Sequence, residues 1–203
     1  LKIRVVNARS DEPINANVGY TSLGKRSETY LTNGQTSISV AENDLVITAS
    51  LDGFITYDKI VSKAEILSMT NRGLPLTLRM DELVENGKIY TDPIYFVQSK
   101  STVKTVSYPA LDRLVQTLRR YWQVSITIEG HTDNQGEPDQ LLKLSEERAR
   151  AVKDYLVKRG ISPLRINVRG IGGNKPLNDN STDELRQMNR RVEVIISKIF
   201  KKG

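Results

Sequence analysis

Two side chains of opposite charge flank one predicted turn, with Asp133 just after an apolar strand pattern and Arg148 within the helical pattern that follows. The loop between strand and helix carries glycine and proline, in the sequence EGHTDNQGEP at 129–138. A strand–loop–helix turn of this kind can place an acid and a base on either side of a small cavity. A carboxylate and a guanidinium that face one space can bind a zwitterion, the first at its ammonium and the second at its carboxylate. The spacing therefore predicts a site for a small zwitterionic group.

Each of these residues also has a simpler interpretation. An aspartate that follows a strand commonly accepts hydrogen bonds from the backbone amides of its own turn. A helical arginine such as Arg148 can form a surface ion pair with Glu147 or Asp154, and such pairs contribute little to stability. Taken one at a time, the residues leave both interpretations open.

Alternating strand and helix patterns from residue 93 onward are the elements that must position this pair. Short apolar segments predict strands at 93–97, 124–130, 165–170 and 190–197. Apolar residues at helical spacing and helix start and stop signals predict helices at 109–122, 139–159 and 181–189. Ser181 and Glu184 are spaced as a capping box for the last helix. This order predicts a βαβαβ sandwich of the α/β type over 93–203, with helices on one face of a small mixed sheet.

The first part of the chain has a different pattern. Short segments rich in Val, Ile, Thr and Tyr, separated by turn signals, lie at 2–7, 15–22, 35–41, 44–51, 54–61 and 74–80. This spacing predicts an all-β antiparallel sandwich over 1–82, and the polar segment 83–92 is predicted to be a linker. The fold class expected for the whole chain is therefore α+β, in two domains.

Other chemistry is disfavoured by the residues present. The chain has no cysteine, which excludes disulfides, thiol catalysis and Cys-ligated metal, and His131 is the one histidine, so no metal site and no cofactor are predicted. Glu129 and Asp133 could be a glycosidase pair, but nothing in the sequence builds the long cleft of such enzymes. No Gly-Lys-Ser/Thr follows the glycines at 170–173, so they are not a phosphate loop. No catalytic residue is predicted, and the chain is not expected to be an enzyme.

The positive charge lies in the second half of the chain. The formal net charge is +6, with ten Lys and Arg against twelve Asp and Glu in residues 1–92 and twenty against twelve in 93–203. Such a surface favours an anionic polymer, including an acidic cell-wall glycan. Nucleic acid is not an expected partner, because neither a nucleic-acid-binding module nor interleaved aromatic residues are present. The run Asn189-Arg190-Arg191 has the composition of a basic anion site, but a structural role is predicted, in which Arg190 or Arg191 bridges the end of the last helix to neighbouring carboxylates. Contact of this run with glycan is the alternative.

Several motifs of the second domain resemble the OmpA-like C-terminal domain family. GHTD, LSEERA, VRGIGGNKP and NRRVEV occur in the order and at the spacing of that family, within a resemblance that spans 94–197. The first eighty or so residues resemble carboxypeptidase regulatory-like, transthyretin-like sandwiches. The OmpA-like resemblance implies a non-enzymatic periplasmic module, associated with the outer membrane, that binds peptidoglycan non-covalently through the diaminopimelate of the stem peptide. The first domain would then be a spacer or a docking surface for another envelope protein.

The resemblance also implies roles for individual residues. Asp133 would contact the ammonium of the ligand and Arg148 its carboxylate. Thr132 and Asn134 would offer further donors, and the loop 98–101, with Ser99, would form the opposite rim of the pocket.

Two departures from the family pattern lie near the expected pocket. Val97 stands where the family often has Asp, and Leu141 stands where it usually has Asn. Both changes remove polar groups near the expected pocket. The alternative function is therefore an envelope assembly module that keeps the OmpA-like fold but binds a protein partner, and hydrophobic surface near these two residues would support it.

Overall fold

A computed structural model of the chain describes residues 1–40 and 43–200. The chain divides into two compact units, Leu1–Leu83 and Val84–Gly203. Among the described residues, every helix is too short or too polar to cross a lipid bilayer.

In its described residues, 1–40 and 43–83, the first unit has seven strands in two sheets. The strands are β1 (Lys2–Asn7), β2 (Asn17–Ser22), β3 (Lys25–Tyr30), β4 (Gln35–Ser37), β5 (Leu45–Ser50), β6 (Tyr57–Val61) and β7 (Leu76–Met80). One sheet has the order β4-β1-β7 and the other β3-β2-β5-β6. Apolar side chains from both sheets form one core, which includes Val5, Val18, Ile47 and Leu78.

Four features of this unit differ from the antiparallel all-β sandwich and the strands that were predicted. A helix, α1 (Lys63–Asn71), lies between β6 and β7, and the hydroxyl of Ser62 caps it by accepting from the Glu65 amide. Strand β7 pairs with β1 in parallel, whereas an antiparallel sheet was predicted. Strand β3 has no buried side chain, so it lacks the apolar alternation that predicts strands. The strand predicted at 35–41 is shortened to β4, and its last residue lies outside the described residues.

The second unit has the expected mixed sheet with helices. Its elements are β8 (Lys88–Ile89), α2 (Tyr108–Arg120), β9 (Val124–His131), α3 (Pro138–Lys158), β10 (Ile166–Gly172), α4 (Asp183–Asn189) and β11 (Val192–Ile199). The strand order is β10-β9-β11-β8. Strand β10 runs parallel to β9, whereas β11 is antiparallel to both β9 and β8. The α+β fold class is confirmed.

The first strand of this sheet was predicted in the wrong place. Residues 93–97 form no strand, because Val97 and Tyr95 bond instead to Thr102 and Lys104 within one local loop. The sheet edge is β8, inside the predicted linker, where Ile89 pairs with Val194. Two residues are too few to show a strand period in the sequence.

Two smaller details of the helices also differ. Helix α4 is capped by Thr182, whose hydroxyl accepts from the Leu185 amide, rather than by Ser181. Helix α2 ends at Arg120, and Trp122, expected on its apolar face, is 59% exposed.

Candidate ligand-binding site

Close contact between α3 and the sheet fixes the position of the predicted site. A Cβ added at Gly130 of β9 would lie 2.0 Å from the carbonyl oxygen of Ser145 in α3. The Ser145 hydroxyl donates to the Leu142 carbonyl at 2.6 Å and accepts from the Gly172 amide at 2.9 Å. Arg148 lies three residues after Ser145 on the same side of the helix. Glycine in the strand and serine in the helix thus hold Arg148 beside the end of β9.

Asp133 lies two residues beyond the end of β9 and is 7% exposed. Its Oδ1 accepts from the Gln135 amide at 3.1 Å, which is the turn contact expected of an aspartate here. Its Oδ2 accepts from Arg190 Nη1 at 2.5 Å. The turn role and a charged role therefore coexist in one carboxylate.

Arg148 is 6% exposed, so it is not a surface residue paired with Glu147 or Asp154. Its Nε donates to the Lys100 carbonyl at 3.1 Å, and its guanidinium lies 5.2 Å from the centre of the Phe96 ring. Burial lowers the pKa of Arg148, the positive charge of Arg190 lowers it further, and the negative charge of Asp133 raises it. The predicted acid and base therefore share one electrostatic environment.

Arg190 also contacts the predicted site, and sequence reasoning did not select it as a ligand residue. It was expected to bridge the helix end to a carboxylate, and it does so: it donates to Asp133 and, at 2.7 Å, to Gln187 Oε1. Its side chain is partly exposed. The available signal was the basic run that follows α4. The buried carboxylate of Asp133 therefore lies near two guanidiniums, those of Arg148 and Arg190, and the net charge of the three groups is positive.

The other predicted ligand residues occupy different surroundings. Thr132 is buried, its amide donates to the Gly172 carbonyl at 2.9 Å, and its hydroxyl is enclosed without a partner. Asn134 is exposed, and its Oδ1 accepts from Gln135 Nε2 at 3.0 Å. Ser99 is exposed at a positive φ of 55° in the loop whose Lys100 carbonyl receives Arg148. The loop 98–101 thus lies beside Arg148, while the Thr132 hydroxyl is closed off from solvent.

A comparison with protein families identifies the second unit. Residues 95–190 match the model of the OmpA family. This segment is an OmpA-family domain. The matched residues contain Asp133, Arg148 and Arg190, and they begin after the first unit ends. For the first unit, the resemblance to carboxypeptidase regulatory-like sandwiches stays a prediction.

Individual proteins support the assignment of the OmpA-family domain. The chain is 44% identical over 101 residues to Outer membrane porin F of Pseudomonas aeruginosa, which covers 49% of this chain and 29% of that protein. It is 33% identical over 140 residues to Peptidoglycan-binding protein ArfA of Mycobacterium bovis, covering 68% and 43%. The chain thus spans less than half the length of either relative. The periplasmic domain of Helicobacter pylori MotB shares the fold, with a TM-score of 0.51 at 19% identity over 58% of this chain and 87% of that one.

Asn189 holds the loop that precedes α4 in the OmpA-family domain. It is fully buried, and its Oδ1 accepts from the amides of Leu177 and Asn178 at 2.7 and 3.1 Å. Its Nδ2 donates to the Asn178 carbonyl and to Asn180 Oδ1 at 2.9 and 2.8 Å. The side chain therefore satisfies four polar groups of one loop and anchors the backbone next to Arg190.

We expect Asn189→Ala to destabilise the chain by about 2–3 kcal/mol, because buried donors and acceptors lose their partners. Urea unfolding followed by circular dichroism measures the change. Asn174→Ala, at an exposed asparagine of the preceding loop, is the control and is expected to leave stability within about 0.5 kcal/mol. Equal stability of the two variants would contradict the prediction.

A second polar cluster lies on the other face of the same strand. Glu129, His131 and Glu193 are the group of His, Cys, Asp or Glu residues that could hold a metal ion in the described parts of the chain. Sequence reasoning did not join Glu193 to the other two residues, because Glu193 lies more than sixty positions later, on β11.

Proposed function

We propose that this chain is a non-enzymatic cell-wall anchor that binds peptidoglycan through the free zwitterionic end of its diaminopimelate. The observation that carries the proposal is the convergence of one carboxylate, Asp133, with two guanidiniums, Arg148 and Arg190, at the end of β9. Membership of the OmpA family and similarity to a protein named as peptidoglycan-binding support it.

Arg148 is prepared to receive a carboxylate. Its Nε is held by the Lys100 carbonyl and its plane lies against Phe96. No described residue accepts a hydrogen bond from its two terminal nitrogens, so both can donate to one incoming carboxylate. The side chain of Arg148 is already ordered in the free protein, so little further conformational entropy is lost when the ligand binds.

Asp133 provides the complementary charge for the ligand's ammonium. Its Oδ1 is occupied by the turn, whereas its Oδ2 carries the ion pair with Arg190. An ammonium that approaches Oδ2 shares it with Arg190 or displaces that side chain, which is partly exposed and can move. A displaced Arg190 can then join Arg148 on the ligand's carboxylate.

The two departures from the family pattern do not create an exposed apolar surface. Val97 is half-buried, and its amide donates to the Thr102 carbonyl at 2.8 Å. Leu141 is also half-buried, and its Cδ2 would lie 3.4 Å from a Cβ placed on Gly136. Both residues are packed within their own loops. Exposed apolar side chains lie close to them along the chain, at Tyr95 and Leu142, so an assembly module that binds protein is kept as the second candidate function.

The proposed setting is the periplasm, in association with the outer membrane. Affinity for a single stem peptide is modest because few groups touch it, and the repeating polymer supplies avidity. The first unit, as a carboxypeptidase regulatory-like sandwich, would act as a spacer or dock an envelope protein.

The test is competition for sacculi. The chain is sedimented with purified diaminopimelate-containing sacculi in the presence of soluble stem peptides whose free diaminopimelate carboxylate is either intact or amidated. Amidation leaves the ammonium for Asp133 but removes the charge that Arg148 requires. We expect the intact peptide to release the chain at about one-tenth of the concentration needed for the amidated one, a difference of about 1.4 kcal/mol.

Two results would overturn the proposal. If the chain does not sediment with sacculi, it does not bind the wall. If it sediments but both peptides compete equally, the free carboxylate of diaminopimelate is not recognised, and binding relies on another part of the polymer.

A further inference from the structure

The face of the sheet turned away from α3 carries a compact polar cluster. Gly130 points toward α3, so its neighbours Glu129 and His131 point to the opposite face. Glu193 of β11 is paired directly with Glu129 in the antiparallel register and therefore shares that face. One potential ligand atom from each of the three side chains lies within 4.8 Å of the other two, and His131 Nε2 is 4.0 Å from Glu129 Oε2.

His131 is the unexplained member of this cluster. It is 1% exposed, and neither of its ring nitrogens has a hydrogen-bond partner. An unpartnered buried polar group costs about 1–3 kcal/mol, so an orphan of this kind calls for a missing partner. The ring lies beside two carboxylates rather than in an apolar core, and a cation shared by all three groups supplies that partner.

We propose that Glu129, His131 and Glu193 form a Zn²⁺ site. One imidazole and two carboxylates are a ligand set that zinc accepts, with water in the fourth position. Tetrahedral bonds of about 2.0–2.2 Å place ligand atoms roughly 3.4 Å apart. The ligand atoms, now within 4.8 Å of one another, must therefore approach by up to about 1.4 Å, which changes in the glutamate rotamers can provide.

The acid–base state of the histidine suits this role. Burial, followed by the charge of Arg191, lowers the pKa of His131 to about 4. The ring is therefore neutral at pH 7, and neutral imidazole is the form that binds a metal ion.

Four cationic side chains contact the two carboxylates, and their competition with Zn²⁺ limits the affinity of the site. Lys88 and Arg191 each lie 2.7 Å from Glu193, and the longer contacts to Glu129 come from Arg169 at 3.7 Å and Lys175 at 3.9 Å. Both lysines and Arg169 have well-exposed side chains that can turn into solvent. The mostly buried Arg191 holds Oε1 of Glu193 and leaves Oε2 for the metal, as an orienting hydrogen bond to a ligand does. Lys88 is bound to that same Oε2, so it competes directly with zinc.

The experiment is a titration of the full chain, without a polyhistidine tag, with Zn²⁺ by calorimetry and with Co²⁺ by visible absorption. We expect one equivalent of Zn²⁺ to bind, and Co²⁺ to give the absorption of a four-coordinate site. His131→Gln, which keeps a neutral polar side chain, is expected to lose binding by at least about a hundredfold. Lys88→Met is expected to tighten it by about tenfold, because the competitor for Glu193 is gone.

His131→Gln and Lys88→Met distinguish the proposed site from adventitious binding elsewhere on the surface, because adventitious binding predicts the same metal affinity in both variants as in the native chain. Circular dichroism establishes that each remains folded. Failure of the native chain to bind one equivalent at 1 mM Zn²⁺ (roughly the weakest affinity of interest, about −4 kcal/mol) would overturn the proposal. So would equal affinity of the native chain and His131→Gln. Neither readout involves peptidoglycan.

Discussion

Arg148→Lys is expected to lower the affinity of the chain for sacculi by about thirtyfold or more, although the positive charge is retained. Lysine cannot reproduce the bond from Nε to the Lys100 carbonyl, the contact with the Phe96 ring, or the paired donors offered to a carboxylate. Breaking a buried charged contact at a binding site costs about 2–5 kcal/mol, and about 2 kcal/mol corresponds to thirtyfold.

Co-sedimentation over a range of sacculus concentrations measures this loss. The matched control is Arg150→Lys, on the same helix, where an exposed guanidinium pairs with Glu146 at 2.7 Å, and no change is expected there. Asp133→Asn keeps an oxygen for the Gln135 amide and removes only the charge, so it is expected to match Arg148→Lys. The proposed recognition of the ligand's carboxylate by Arg148 is wrong if folded Arg148→Lys sediments as well as the Arg150→Lys control.

The sequence was sufficient to predict that Asp133 and Arg148 lie near each other, because both belong to one local unit of a strand, a turn and a helix. The lengths of the turn and of the first part of the helix bring the two residues to the same end of the strand. Their predicted roles in ligand binding came from the family resemblance. Arg190 reaches the same carboxylate only because β11 pairs with β9 in a register that sets Val192 opposite Gly130. Such a register is a property of the folded sheet, and a basic run at a helix end does not display it.

The same distinction separates correct from incorrect predictions of the fold. Helices α2 and α3 follow apolar positions at helical spacing, and their observed bounds lie close to the predicted ones. Strand β8 has two residues and therefore no period, and β3 has no buried side chain. Residues 93–97 have a strand's composition, yet their amides and carbonyls bond within a local loop. Where tertiary contacts determine whether a segment forms a strand, the local sequence preference of that segment does not predict the outcome reliably.

The metal-ligand cluster illustrates the limit more sharply. A count of histidines and cysteines argues against a metal centre, because one histidine cannot make a site alone. The folded sheet supplies the missing ligands as carboxylates, one from the strand of His131 and one from its antiparallel neighbour. The composition therefore shows which ligand types are available, but it does not show which residues the fold brings together.

Gly130→Ala is expected to be the most destabilising single methyl group that can be added to the OmpA-family domain. Its Cβ would lie 2.0 Å from the Ser145 carbonyl oxygen and 2.8 Å from the carbonyl carbon, both in the backbone of α3. A backbone contact cannot be relieved by a change of rotamer, so helix and strand must move apart. Overpacking of a core costs about 1–3 kcal/mol and more where backbone must shift, so we expect at least about 3 kcal/mol, or roughly 10 °C in Tm.

Thermal unfolding of Gly130→Ala and of Gly19→Ala separates the contact from the general effect of replacing a strand glycine. A Cβ at Gly19 meets its nearest neighbour, Glu28 Cγ, at an ordinary 3.7 Å, so that variant is expected to be neutral or slightly stabilising. The contact between α3 and β9 also positions Arg148 next to Asp133. At temperatures where Gly130→Ala remains folded, its affinity for sacculi should therefore fall as well, whereas Gly19→Ala should bind as the native chain does. Native stability in Gly130→Ala would show that the helix and strand can separate at little cost, and that their contact does not set the positions of Asp133 and Arg148.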